Sequence, residues 1–235
     1  MSEPDVSPPP RSAGARYFAW LYTPAEARGG TAALLTLEHE IMTSALAALD
    51  HGVAHVRLGW WQEEAERLAA AVPVHPAARA ARQAFLAAGL PAPDLQALTG
   101  LAARVLARQA LARDISSGDL AGDAALWSDG LVQPLATLAT GATLAIGATR
   151  VAEADPRAVE TLGHALYVQE QAPTDDSAAA LREAIATVPA ALATPLRGLI
   201  VWSTLVLQTR ARGAFAESWA AWRAARHVER SRLRG

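Results

Sequence analysis

Apolar positions recur at intervals of three and four along most of this chain and seldom alternate at every second residue. That period belongs to amphipathic helices, whereas alternation belongs to strands. Capping and breaking residues divide the pattern into about ten helical segments. A first helix is predicted over residues 12–22, and Thr23-Pro24-Ala25-Glu26 reads as the start of the next. Thr23 can accept from free backbone N–H groups, Pro24 suits the first helical position, and Glu26 can reach back to close a capping box. This second helix is predicted to reach about residue 49, with Gly29-Gly30 as an interruption and a break at residues 50–52. A third spans 53–71, ahead of Pro73, and His75-Pro76 opens a fourth over 76–88.

Further along, Asp94 caps a predicted helix over 95–114, and residues 116–119 break it. One long helix is expected over 121–150, kinked at Pro134, which has no N–H and crowds the preceding turn. Asp155-Pro156 opens a helix to residue 171. After a loop over 172–177 a helix runs to 188, Thr194-Pro195 opens one to 212, and the last covers 215–232. Nothing recurs at a fixed period, so a solenoid is excluded. Short links between many helices predict an all-α bundle, organised around the dense polar and aromatic stretch over 33–76.

Composition strengthens the helical reading. Half the residues are hydrophobic (51%), alanine and leucine dominate, and both enter helices at little cost. All 21 basic residues are arginine, so the Walker-type phosphate loop, which requires lysine, is excluded. No cysteine is present, which removes disulfides, thiolate nucleophiles and Cys-ligated metals and fits a reducing compartment. The Pro- and Ser-rich residues 1–14 lack an apolar leader core and read as a disordered tail, leaving one domain over 15–235 and a cytoplasmic location. Residues 130–149 hold no charge, but Gln133, Pro134 and several Thr favour a buried central helix over a membrane span.

Candidate chemistry is sparse. Glu38 and Glu40 are two apart and face different ways on a helix. Glu40, between Leu37 and Ile41, is the better functional candidate, against a plain reading as solvated charge. Arg57, Trp60, Trp61 and Glu64 share one face by spacing. His51 and His55 share a face but lack a third ligand. Asp175-Asp176 suits a hard cation such as Mg²⁺, or else begins a helix. Trp219, Trp222 and the arginines around them form either an ordinary helix end or a contact for an anionic membrane or a protein partner. Nucleic acid is excluded as a partner, because charge elsewhere is balanced and no base-reading module appears.

The runs RYFAWLYTPAEAR, ALLTLEHEI, HVRLGWWQEEAERL and VHPAARA resemble the squalene/phytoene synthase family. They are most similar to its diverged branch that includes mitochondrial complex I assembly factors. Thr161 to Tyr167 and PLRGLIVWSTL resemble later family segments. The resemblance implies an isoprenoid-synthase-type helical bundle with a central cavity. In active members two Asp-rich motifs hold Mg²⁺ and ionise a prenyl diphosphate for head-to-head joining. Here the first motif is reduced to Glu38 and Glu40. Near the second, Tyr167 and Glu170 replace the usual Gln and Asn, Asp175 and Asp176 remain without their spaced partner, and the Arg-rich segment ending in Leu-Pro is missing.

The resemblance therefore implies lost or weakened catalysis, since a departing diphosphate needs convergent positive charge. The expected role is that of a binder of an isoprenoid lipid, or an accessory factor peripheral to the inner membrane. Glu40, Arg57, Trp61, Glu64, Tyr167 and Glu170 would line the pocket, and Asp175 and Asp176 would be the metal candidates. The alternative is an active Mg²⁺-dependent prenyl diphosphate transferase.

Overall fold

The computed structural model describes residues 14–45, 50–145, 156–208 and 219–226, and every regular element among them is helical. In order these are α1 (Ala15–Tyr22), α2 (Arg28–Thr43), α3 (His51–Ala69), α4 (Pro76–Ala87), α5 (Gln96–Ala110), α6 (Ser117–Trp127), α7 (Gln133–Ala145), α8 (Pro156–Gln171), α9 (Asp175–Thr187) and α10 (Arg197–Leu207). A further helix, α11, occupies 219–226.

Local chemistry places most of the boundaries. Asp50 accepts from the N–H groups of Gly52 and Val53 to start α3, and His75 Nδ1 accepts from Ala77 to start α4. Ser116 with Asp119 and Thr174 with Ser177 form reciprocal capping boxes that start α6 and α9. The break predicted at 116–119 is thus itself a helix start. Asp175 and Asp176 lie in the first turn of α9, where negative charge opposes the helix dipole. The box predicted from Thr23 and Glu26 does not form. Thr23 instead donates its hydroxyl to Ala19 O at the end of α1, and a short 3₁₀ turn over Ala25–Ala27 leads into α2.

Gly29-Gly30 does not interrupt α2. Gly30 lies at a crossing where a Cβ would come within 2.6 Å of Ala84 Cβ and closer still to Leu138, so glycine lets three helices approach. The long helix expected over 121–150 is divided. A π turn over Ser128–Val132 separates α6 from α7 just ahead of Pro134. Widening the helix there accommodates the proline ring and the donor it lacks. Residues 146–150 lie outside the described segments, as do 46–49 and most of the predicted last helix.

α2 is the central element. Its residues 30–35, Leu37, Glu38 and Ile41 are buried, and it packs against α1, α4, α5 and α7. Around it α1 pairs with α10, α8 with α9, α6 with α8, and α3 with α5. One contiguous apolar core runs from Ala19 to Trp202, and a smaller one joins Phe18, Val201 and Leu205 to the alanines of α11. α3 lies at the edge rather than at the hub. Its buried stripe is Ala54, Leu58, Trp61, Ala65 and Leu68, which leaves Arg57 and Trp60 facing out. No helix among the described residues is long and apolar enough to cross a membrane.

Candidate functional site

Five helices bring polar groups together in the middle of the bundle. Arg16 of α1 donates through Nη2 to Glu38 Oε1 on α2 at 3.0 Å and to Glu170 Oε2 on α8 at 3.4 Å. The indole N–H of Trp127, at the end of α6, donates to Glu38 Oε1 at 3.2 Å, and that of Trp202 on α10 donates to Glu170 Oε1 at 2.7 Å. The Arg16 guanidinium lies 4.7 Å above the Trp202 ring. Trp127 packs edge-on against Trp202 and tilted against Tyr167, each at a centroid separation of 5.5 Å. These aromatic rings fill the space between α6, α8 and α10, beside the carboxylate of α2.

The electrostatics follow from burial. Desolvation raises Glu170 above the ordinary carboxylate range, although Arg16 and the Trp202 N–H pull the other way. Desolvation likewise opposes the Arg16 charge, but Glu38 and Glu170 outweigh it and raise the guanidinium further. Burial, with Asp123 nearby, pushes Tyr167 up to about 12, so the phenol stays neutral at physiological pH.

Beyond Tyr167 lies a second group. Asp123 of α6, fully buried, accepts from Arg104 Nε at 2.7 Å and from both terminal nitrogens of Arg108, which fastens α6 to α5. Asp119 pairs with Arg113 at 3.0 Å while closing its capping box, and the Ser116 hydroxyl and N–H, ahead of Arg113, hold it at about 2.

A third group surrounds the α3–α4 turn. Glu64 has no exposed surface. Its Oε1 accepts from the N–H groups of Val74 and His75 at 2.9 and 2.8 Å, and its Oε2 from Arg67 Nε at 2.8 Å. His75 Nδ1 accepts a backbone N–H, which leaves the proton of the neutral ring on Nε2, 3.2 Å from Glu40 Oε2. The Trp61 ring packs on His75 at 4.9 Å between centroids.

The predicted pocket residues therefore fall into separate places. Glu40, Trp61 and Glu64 meet at His75. Tyr167 and Glu170 join the central group, and Arg57 is exposed on the outside of α3. Glu38, passed over in favour of Glu40, is the buried carboxylate. It falls three and four residues from Leu34, Leu35 and Ile41, within the apolar stripe of α2, and that spacing was the available signal. Arg16, Trp127 and Trp202 carried no signal of their own, because their meeting depends on three remote helices.

Among the described residues the carboxylates do not fit a Mg²⁺ cluster. Asp175 and Asp176 are exposed at a helix start, Glu40 faces His75, and both oxygens of Glu170 are engaged. No group of three or more His, Asp or Glu among the described residues is placed to share a metal ion. One open groove stands apart from these clusters. It encloses about 740 Å³ between α8 and α9, with Ala165, Val168, Ala180 and Ala184 on its walls and Arg157, Glu160 and His164 among its polar groups.

The fold and these clusters define an all-helical bundle whose central acidic side chains serve as internal bonding partners. Comparison of the chain with protein-family models, with curated proteins and with solved structures finds no match.

Proposed function

We propose that this protein is a non-catalytic binding protein, a diverged squalene/phytoene synthase-like bundle that holds an isoprenoid lipid or serves as an accessory factor. The observation that carries the reading is the use made of Glu38 and Glu170. Each accepts from Arg16 and from an indole N–H, and tryptophan and tyrosine rings pack beside them. Diphosphate departure needs several cations held by convergent carboxylates. A carboxylate already paired with an arginine inside the protein offers little to such an ion. The α8–α9 groove supports the binding part of the proposal. Small-molecule sites commonly enclose about 300–1,000 Å³ with apolar walls and a few polar groups, and this groove has both features. Its alanine and valine walls suit a prenyl chain, and its polar residues suit a hydroxyl or diphosphate end.

The test is a thermal-shift titration with farnesyl diphosphate and farnesol, each with and without Mg²⁺, on the wild type and on Ala180→Trp. Ala180 is exposed and lines the groove, so the indole fills the groove without disturbing the core. The expected result is a shift that needs no Mg²⁺ and is lost in Ala180→Trp. A shift that requires Mg²⁺, or turnover of the diphosphate, would replace this reading with the transferase. No shift with either compound would remove the lipid.

A further inference from the structure

α11 is built in reverse of an ordinary surface helix. Its inward residues are small: Ala220, Ala221, Ala224 and Ala225 are buried against Phe18 of α1 and Val201 and Leu205 of α10. Its large residues face solvent. Trp219 is 50% exposed and Trp222 41%, and their rings stack at 4.9 Å. Arg226 lies 5.0 Å over the Trp222 ring, and Arg223 is exposed beside it. The fold does not need these two indoles for packing.

Charge is distributed unevenly along the sequence. Residues 208–235 hold seven arginines against Glu217 and Glu229, whereas the rest of the chain holds 14 arginines against 21 acidic residues. Beyond α11 the arginines continue at 230, 232 and 234. Indoles favour the boundary between headgroups and acyl chains, and arginines near an anionic leaflet are attracted to its surface potential. Within α11 the exposed Arg223 and Arg226 stand without an acidic residue beside the two indoles, a pairing of cation and interfacial aromatic that suits lipid phosphates. We propose that α11 forms a docking surface for anionic phospholipid membranes, with the Trp219 and Trp222 indoles in the headgroup layer and Arg223 and Arg226 over lipid phosphates. Contact of this kind is superficial and depends on two signals together, apolar area and charge.

The test is flotation of the full chain with phosphatidylcholine vesicles, with and without about one-third phosphatidylglycerol. It is read alongside quenching of tryptophan fluorescence by brominated acyl chains. The wild type is expected to float only with the anionic vesicles and to release as salt is raised. Arg223→Glu with Arg226→Glu is expected to lower the partition coefficient by at least about thirtyfold, since the loss of each arginine alone is worth about fivefold. Trp219→Ala with Trp222→Ala is expected to abolish the quenching. All four positions are exposed, and an unchanged melting temperature certifies each variant. Failure of the wild type to float with anionic vesicles overturns the proposal, including a case where it binds only an acidic polypeptide. Flotation that both double variants leave unchanged also overturns it.

Discussion

Replacing Glu64 with alanine distinguishes a pocket residue from a structural one. In the fold Glu64 is fully buried, and its Oε1 receives two backbone N–H groups of the α3–α4 turn, from Val74 and His75. Hydrogen bonds to a charged group contribute about 1.5–3 kcal/mol each, so losing this pair costs about 3–6 kcal/mol. Arg67 loses a partner as well, and the turn that seats His75 against Trp61 and Glu40 loosens. For a chain of this size each kcal/mol moves the melting temperature by about 2–4 °C, which predicts a fall of at least about 6 °C. Glu64→Gln is the graded control. Its amide oxygen can keep the backbone pair, but its NH₂ then faces the Arg67 N–H, so the fall should be about half as large. Circular dichroism melts, with urea titration for the free energy, read both variants. A Glu64→Ala protein that melts within about 2 °C of the wild type would refute the argument that this carboxylate braces the turn.

Other perturbations bear on packing and charge. Gly30→Ala should cost about 1–3 kcal/mol, because its methyl collides with Ala84 and Leu138, whereas Gly29→Ala, which meets open space, should stabilise by about 0.5–1 kcal/mol; equal melting temperatures for the two would contradict the close crossing. The pH dependence has opposite signs at two carboxylates. The raised pKa of Glu170 means that its contribution is present below the unfolded carboxylate value and fades as pH rises through the folded one, so Glu170→Gln should flatten the melting profile on that side. Asp119 is lowered from 3.8 to about 2, so its contribution is present above 3.8 and is lost as pH falls through about 2; Asp119→Asn should flatten that acid limb, and an unchanged limb would show that the Ser116 bonds do not persist in solution.

Much of the helix plan was legible because its signals are local. The end of α8 at Gln171 follows from Pro173 just beyond it, which cannot continue a helix. The α3–α4 boundary was readable from Pro73 and His75-Pro76. Glu38 rather than Glu40 is the buried one of the pair, because the three-and-four spacing from Leu34, Leu35 and Ile41, and not the apolar neighbours in sequence, fixes the inward face of α2. Arg57 is exposed for a related reason. Residues spaced like a face need not be the buried one, and Ala54, Leu58 and Ala65 set the inward side of α3. The residues of the Asp123 cluster stand out in the sequence only as ordinary helix charges, since Arg104, Arg108 and Asp123 meet across two helices and the turn between them.

By itself the sequence determined that this chain is helical, where most helices begin and end, and that cysteine chemistry and a lysine-dependent phosphate loop are excluded. Those properties depend on backbone propensity, capping groups and residue inventory, all of which act within a few positions. Only the tertiary structure decided which acidic side chains are buried, that Arg16 and two indoles occupy them, and that Trp219 and Trp222 face outward from an alanine-lined underside. Those outcomes depend on helix crossings that join residues as far apart as Arg16 and Trp202. The geometry of such crossings is set by the sum of many small packing terms, which no short stretch of sequence contains.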